Sequence, residues 1–254
     1  MTSSGGPKAG ATPGALPNLI IIGAMKCGTT ALHGLLDQHP DVAMASAKEL
    51  NFFFGPATNP GEGASSTWHR GLEWYARQFD GRAAVRGESS PGYTSPDHPE
   101  VAGRMVGAIP GVRLVYLVRD PIDRAVSQYR HHRADGTETR PVAEALLDPA
   151  SQYIARGRYC DRLAPFLEHF SREQIMIMDQ ADLLHDPQLG LKLVYRFLGV
   201  EPPQHFPPAQ RWNVARGRDV AVPDGLRNRL AHEFVEDATR LRALTGQQFV
   251  HWSI

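Results

Sequence analysis

Residues 18–36, NLIIIGAMKCGTTALHGLL, constrain the fold of this chain more than any other stretch. The run LIII is unbroken and apolar, which is typical of a parallel strand buried on both faces. The turn GAMKCG follows, and the next residues predict a helix because Leu32, Leu35 and Leu36 recur at helical spacing. A strand, a tight loop and a helix in this order indicate an anion-binding site. The first N–H groups of the helix have no intrahelical acceptor, and the helix dipole adds partial positive charge there.

The loop is close to the Walker A pattern, G-x-x-x-x-G-K-S/T, but differs from it at the lysine. Gly23 and Gly28 have the Walker spacing, whereas Thr29 occupies the lysine position and Lys26 lies inside the loop. A lysine inside the loop can reach a bridging or terminal oxygen without the lysine–magnesium arrangement that handles β- and γ-phosphates. Glycine-rich turns also occur in α/β domains without binding anything, so the loop alone leaves a structural role open.

Length and charge favour one neutral α/β domain. The 254 residues carry 27 basic and 27 acidic side chains, a balance that favours neither nucleic acid nor an acidic membrane surface as a partner. Two cysteines, Cys27 and Cys160, form no disulfide or metal framework, which favours a reducing compartment. Residues 1–17 lack the apolar core of a signal peptide and predict a disordered lead-in to a domain over residues 18–254. Because no apolar run approaches the ~18 residues that span a bilayer, we expect a cytoplasmic protein.

An acidic residue stands beside an aromatic cluster in the stretch KELNFFF. Partial desolvation of Glu49 by the three phenylalanines would make it a better proton acceptor. The alternative is a solvated pair of Lys48 and Glu49 at a helix start, above a patch of core aromatic residues. The stretch on its own favours this alternative.

The clearest predicted strand, VRLVYLV, ends on the sequence Arg119-Asp120-Pro121. Asp120 is a favourable N-cap and Pro121 a favourable first helical residue, so a new helix is expected immediately after the strand. Arg119 then lies at the carboxyl end of a strand, where open parallel sheets bind ligands. Ser127, two turns into the helix, either faces the same crevice or is a solvent-exposed helical serine.

A second basic feature occurs late in the chain, in the stretch WNVARGRD. Gly217 between Arg216 and Arg218 lets the backbone approach an anion while both guanidinium groups reach it. An ordinary basic surface loop is the alternative, and the stretch alone favours it. The adjacent His131 and His132 do not predict a metal site, because neighbouring side chains on a helix point about 100° apart.

The pattern of strands and helices predicts an α/β fold with a central, mainly parallel sheet flanked by helices. Strands are predicted over residues 19–22, 42–44, 83–88, 112–118 and 174–178. Helices are predicted over residues 29–36, 68–79, 97–109, 141–147, 159–170, 189–198 and 223–244, with another beginning at residue 121.

Four separated motifs together resemble one enzyme family: IIIGAMKCGTTAL, KELNFFF, LVYLVRDPIDRAVSQY and ARGRD. They are similar to the sulfotransferases that use 3′-phosphoadenosine 5′-phosphosulfate (PAPS), and more closely to the branch of heparan sulfate sulfotransferases and their bacterial relatives. The resemblance covers residues 18–252, and the stretches GESSPGY, GRYCDRLAPFLEHF, DLLHDP and FLGV follow in family order. At Ser89, several heparan-type members instead have lysine.

The resemblance implies a role for each motif. The 5′-phosphosulfate would be held by Lys26, Cys27, Gly28, Thr29 and Thr30. The 3′-phosphate would be bound by Arg119 and Ser127, and a late loop of Arg216, Gly217 and Arg218 would fold over the nucleotide. Glu49 matches the catalytic base, and Glu88 is a second acid that either lies near the acceptor or makes only structural hydrogen bonds.

The implied activity is transfer of a sulfuryl group to a hydroxyl or amine of a glycan, glycolipid or small molecule, without a metal. Lys26 would stabilise the leaving phosphate, and the product nucleotide would be adenosine 3′,5′-bisphosphate. One alternative is a P-loop nucleotide kinase or NTPase, against which the missing Walker lysine argues. The other is a catalytically silent nucleotide-binding module, against which the presence of Lys26 and Glu49 argues. The sequence specifies neither the acceptor nor the oligomeric state.

Overall fold

The computed structural model of the protein describes residues 15–56, 66–206 and 220–254, and its centre is one parallel sheet. Within these ranges five strands pair in the order β2-β3-β1-β4-β5, and every pairing is parallel. The strands are β1 (Leu19–Gly23), β2 (Val42–Met44), β3 (Val85–Ser89), β4 (Arg113–Val118) and β5 (Ile175–Asp179). Every residue of β1 is buried, as its apolar run predicts. The predicted α/β fold with a parallel sheet is confirmed.

Helices cover the sheet and extend the core. They are α1 (Thr29–Leu36), α2 (Gly71–Ala76), α3 (Val101–Ala108), α4 (Pro121–Asp135), α5 (Val142–Leu147), α6 (Gln152–Ala155), α7 (Tyr159–His169), α8 (Gln180–His185), α9 (Pro187–Leu198) and α10 (Asp224–Thr245). Single 3₁₀ turns occur at Phe52–Phe54, Trp68–Arg70, Pro91–Thr94 and Arg172–Gln174. A second apolar cluster lies beside the main core and joins α4, α5, α6 and α10 through buried side chains such as Ile122, Leu146, Leu230 and Phe234. No helix in the described ranges is both long enough and apolar enough to cross a membrane.

Several predicted elements have different bounds in the structure; the helix expected over residues 189–198, for example, begins at Pro187. The helix expected over residues 68–79 is a 3₁₀ turn followed by the short α2, and Leu72, expected on its apolar face, is exposed. Gly71 separates the two pieces with a φ of 77°. The helix expected from residue 97 begins at Val101, and the strand expected from residue 83 begins at Val85, because Ala83 still belongs to a turn closed by the Asp80 carbonyl.

The carboxyl ends of all five strands meet at one edge of the sheet, since the strands are parallel. The loop after β1, the arginine after β4 and the aspartate that ends β5 therefore share that edge. The Ala24 N–H donates to the Leu117 carbonyl over 2.7 Å, so the loop after β1 is attached directly to β4. The edge brings together the two sequence features that predicted anion binding.

The close packing around Gly23 predicts a large cost for adding a methyl group there. A Cβ at this position would press against the Thr94 hydroxyl and lie 2.8 Å from Cε2 of Tyr116, both on buried side chains. We expect Gly23→Ala to lower the free energy of unfolding by about 1–3 kcal/mol, measured by urea denaturation. The matched control is Gly107→Ala in α3, where an added Cβ meets no atom within 4 Å. The control should be neutral or stabilising by up to about 1 kcal/mol, and equal losses in both variants would contradict the packing argument.

Candidate active site

The loop after β1 has the backbone geometry of an anion-binding turn. Lys26 and Gly28 have positive φ values, 69° and 89°, and Gly28 is the N-cap of α1. A glycine offers no side chain to cap a helix, and no side-chain hydrogen bond caps this one. The N–H groups of the first turn, which have no intrahelical acceptor, are therefore available to a ligand. Thr29 is buried and Thr30 half-buried within this turn.

Lys26 is half-buried in the loop, at the sheet edge that also carries the acid after β2. Burial lowers the pKa of Lys26, and the negative charge of Glu49 opposes this shift. Lys26 makes no hydrogen bond or ion pair with any residue that the structure describes. The ammonium group therefore remains free to pair with an anion beside the loop.

Glu49 lies at the same edge but is not desolvated by the phenylalanines. Its N–H donates to the Ser89 carbonyl over 3.0 Å, its φ is 63°, and its side chain is 50% exposed. The Lys48 ammonium lies 2.9 Å from the Glu49 carboxylate. Phe52 instead stacks on buried Tyr75, with the ring centroids 4.3 Å apart. Of the two alternatives for this stretch, the structure has the solvated Lys48–Glu49 pair that the stretch on its own favours, although it precedes a 3₁₀ turn and not an α-helix.

Arg119 follows β4 at the predicted position and is fixed mainly through its backbone. The Tyr159 hydroxyl donates to the Arg119 carbonyl over 2.8 Å, while the guanidinium lies 3.8 Å from the Asp123 carboxylate. Asp120 is the N-cap of α4, as predicted, and accepts from the N–H groups of Ile122 and Asp123. Ser127 is half-buried on the same helix.

The predicted closing loop of Arg216, Gly217 and Arg218 lies outside the described residues. Its contribution to an anion site therefore stays a prediction. The edge of the sheet nonetheless already carries a loop lysine, a solvated acid and a strand-end arginine.

Comparison with known proteins identifies the family. The sequence profile described as "Sulfotransferase domain" matches residues 16–210. This chain belongs to the sulfotransferase family. A sulfotransferase from Alicyclobacillus acidocaldarius has a crystal structure similar to this one, with a TM-score of 0.79 and 31% identity over 94% of this chain and 100% of that chain.

Similar sequences include sulfotransferases of heparan sulfate. The bifunctional heparan sulfate N-deacetylase/N-sulfotransferase 1 of Caenorhabditis elegans is 28% identical over 86% of this chain, which spans 26% of that protein. The heparan sulfate glucosamine 3-O-sulfotransferase 3A1 of Mus musculus is 31% identical over 73% of this chain and 46% of its own length. The chain thus spans about a quarter of the length of the bifunctional relative.

Glu88 lies inside the protein, under the sheet edge. It is fully buried and accepts hydrogen bonds from the hydroxyls of Tyr75, Ser90 and Tyr93, at 2.5, 2.8 and 2.8 Å. Burial raises the pKa of Glu88, and the three hydrogen bonds oppose the rise. This geometry favours the structural role over contact with an acceptor.

Tyr159, which the motif analysis did not single out, connects the loop to Arg119. Its buried hydroxyl lies 3.6 Å from the Cys27 sulfur as well as donating to the Arg119 carbonyl. Burial raises the pKa of the Cys27 thiol to about 11, so Cys27 remains a neutral packing residue of the loop. The tyrosine falls within the stretch GRYCDRLAPFLEHF that carries part of the resemblance, but nothing in its spacing predicts these two contacts.

Arg124 is a second residue that the sequence did not identify. It is fully buried on α4, donates to the Gln128 side chain over 2.8 Å and to the Tyr153 carbonyl, and has an Nε with no partner among the described residues. No carboxylate in the described ranges pairs with it. Its positive charge contributes to lowering the pKa of Lys26, so Arg124 adds positive potential beneath the loop.

The buried Glu88 predicts a pH dependence of stability. Because its pKa is higher in the folded than in the unfolded protein, the folded state binds the proton more readily, and stability rises as pH falls. Relative to Glu88→Gln, which cannot titrate, the wild-type protein should gain unfolding free energy as pH falls from 7 toward 4.5. Urea denaturation at several pH values measures this. Glu73→Gln, at a side chain that is 95% exposed, is the control and should show no such trend; a pH-independent difference for Glu88→Gln would contradict the prediction.

Proposed function

We propose that this chain transfers the sulfuryl group of PAPS to a hydroxyl or amine of a glycan, glycolipid or small-molecule acceptor. The observation that carries the proposal is that the loop of Lys26 and the acid Glu49 lie at the same edge of the sheet, after β1 and against the end of β3. Lys26 is a half-buried cation in a loop whose backbone suits a phosphate, and the charge of Glu49, a solvent-exposed acid after β2, acts on it electrostatically. Family membership supports the same donor.

The residues at the sheet edge suit the donor. PAPS supplies a sulfuryl group attached through a phosphate oxygen that can leave as an anion. The 5′ end of the donor would be held by the loop residues Lys26, Cys27, Gly28, Thr29 and Thr30, through backbone N–H groups and the Lys26 ammonium. The 3′-phosphate would be bound by Arg119 and Ser127, with Arg216, Gly217 and Arg218 closing over the nucleotide. The positive φ of Gly28 and the unpaired ammonium of Lys26 fit this assignment.

Glu49 and Lys26 have separate roles in the proposed transfer, one as proton acceptor and the other as stabiliser of the leaving group. Glu49 accepts the proton that the acceptor hydroxyl or amine releases as its oxygen or nitrogen bonds to sulfur. Lys26 stabilises the negative charge left on the phosphate oxygen when its bond to sulfur breaks. Because such a transfer needs chiefly an in-line approach and charge stabilisation, no covalent intermediate with the protein and no metal is required. The half-exposed side chain of Glu49 suits contact with an acceptor arriving from solvent.

The acceptor class is the open part of this proposal. The names of the relatives describe both N-sulfation and 3-O-sulfation of heparan sulfate, so hydroxyl and amine acceptors both belong in the test. Ser89, where several heparan-type members have lysine, is buried here, so this position offers no cation to an acidic glycan. We propose residues 51–74 and 133–149 as the borders of the acceptor pocket and a cytoplasmic location for the protein; residues 57–65 of the first border lie outside the described ranges.

Nucleotide selectivity tests the donor assignment. Adenosine 3′,5′-bisphosphate should stabilise the protein far more than ADP in a thermal-shift titration with EDTA present. At about 100 times its Kd a ligand adds about 2.7 kcal/mol, which for a chain of this length raises Tm by roughly 5–10 °C. Equal stabilisation by ADP, or a requirement for magnesium, would refute the 3′-phosphate assignment and favour a nucleotide kinase or NTPase.

Substitution of Glu49 tests the base. Glu49→Gln should leave the Kd for adenosine 3′,5′-bisphosphate unchanged, because the acid contacts the acceptor side, and lower turnover by about 10²–10⁴-fold. Turnover is measured with ³⁵S-labelled PAPS and an acceptor found active in a screen of hydroxyl and amine compounds. Glu168→Gln, at an exposed acid on α7 outside the proposed acceptor borders, is the matched control and should retain full turnover. Near-normal turnover of Glu49→Gln would remove the base role from this residue.

A further inference from the structure

The segment after α10, residues 246–254, runs back to the carboxyl edge of the sheet. This α10 extension lies outside the residues that the family profile matches. Two of its side chains, Phe249 and Trp252, are buried and stack with ring centroids 4.4 Å apart. Arg242 of α10 fixes the extension by donating to the carbonyls of Gln248 and Ile254.

The α10 extension binds the aspartate that follows β4. Asp120 uses Oδ1 to cap α4 and Oδ2 to accept from Ser253, whose N–H and hydroxyl donate over 2.5 and 2.7 Å. Asp120 is buried and directly follows Arg119 in the chain. Since the Arg119 guanidinium has only a 3.8 Å contact to Asp123, the position of the arginine depends on how its backbone is held.

The same arrangement occurs at the end of β5. Asp179 uses Oδ1 to cap α8 at the Ala181 N–H and Oδ2 to accept from the Trp252 indole N–H, each over 3.0 Å. The next residue, Gln180, lies against the donor loop, because a Cβ on Gly28 would be 3.0 Å from its Nε2. The Trp252 ring also packs on Tyr159, which contacts Cys27 and Arg119.

We propose that the α10 extension is a positioning element of the proposed donor site. Ser253 positions Arg119 through Asp120, and Trp252 positions the loop after β1 through Asp179 and Tyr159. Asp120 and Asp179, at the ends of the neighbouring strands β4 and β5, each cap a helix with one carboxylate oxygen. The other oxygen of each accepts a hydrogen bond from the α10 extension. Asp120 follows Arg119, which is assigned to the 3′-phosphate, and Asp179 precedes Gln180, which lies against Gly28 of the loop assigned to the 5′ end. This inference rests on the proposed function, and it assigns Ser253 to recognition of the 3′-phosphate and Trp252 to the 5′ side.

Comparison of two nucleotides separates these roles. Adenosine 3′,5′-bisphosphate and adenosine 5′-monophosphate share the 5′ half, so the ratio of their Kd values reports the 3′-phosphate contact alone. Ser253→Ala should raise the Kd of the bisphosphate about three- to tenfold, since it removes one hydrogen bond to a carboxylate, and leave that of the monophosphate unchanged. Ser253→Thr, which keeps the hydroxyl, should restore wild-type values.

Trp252→Phe keeps the ring but removes the bond to Asp179. It should raise the Kd of both nucleotides by a similar factor and leave their ratio unchanged. Thr239→Ala is the control on α10, because it removes the hydroxyl of an exposed residue outside the extension, one that donates to the Val235 carbonyl. It should alter neither Kd.

Isothermal titration calorimetry of the full chain gives all these values without turnover. A Ser253→Ala protein that loses affinity equally for both nucleotides, or for neither, would overturn the positioning role. A wild-type protein that binds the two nucleotides equally would instead overturn the 3′-phosphate assignment itself. The two failures are therefore distinguishable before any variant is made.

Discussion

The hydroxyl group of Tyr159 joins the two halves of the sheet edge on which the site depends. It contacts the Cys27 sulfur in the loop after β1 and donates to the Arg119 carbonyl after β4. Both contacts are made by a buried side chain on α7, so the separation of the loop and the arginine is set by core packing and not by the mobile ends of side chains. A site that must span the length of a nucleotide needs its two anchors at a fixed distance, and this residue supplies that constraint.

Positive charge beneath the loop is the second constraint. Arg124 is buried without a carboxylate partner among the described residues, and its field reaches Lys26. An uncompensated buried cation destabilises a folded protein, so its presence is easiest to understand where an anionic ligand compensates it. The lowered pKa of Lys26 reflects the same crowding and desolvation. The proposed donor site thus combines N–H groups from α1 with two cations, Lys26 and Arg124, that pair with no carboxylate in the part of the chain that the structure describes.

Local features of the site were predictable from the sequence, and long-range ones were not. The strand before the loop and the Asp120 cap depend on neighbouring residues, and both have the expected form. The contact of Ser253 with Asp120 joins residues 133 positions apart, and that of Tyr159 with Cys27 joins residues 132 positions apart. No local sequence pattern specifies such pairings. The burial of Arg124 is equally unpredictable, because helical spacing alone does not place an arginine in the core.

The exposure of Glu49 next to three phenylalanines has a local physical cause. Glu49 and Asn51 have positive φ values that turn the backbone between the acid and the aromatic side chains. Phe52 and Phe53 enter the core, while Glu49 faces solvent beside Lys48. Aromatic residues next to an acid therefore desolvate it only if the backbone directs them to the same side.

Lys26 occupies a different position in its loop from the lysine of a Walker A motif, and the backbone contacts at the sheet edge hold it there. A Walker lysine follows the second glycine and serves the β- and γ-phosphates, whereas Lys26 lies inside the loop at a φ of 69°. A non-glycine residue in this region carries strain of about 1–3 kcal/mol and persists only where its surroundings fix it. The bonds of Ala24 to Leu117 and of Cys27 to Ala24 provide that support on either side. The negative charge of Glu49 acts on the ammonium of Lys26 and opposes the lowering of its pKa by burial. In the proposed reaction the two groups would therefore serve opposite ends of one transfer, the leaving phosphate and the attacking acceptor.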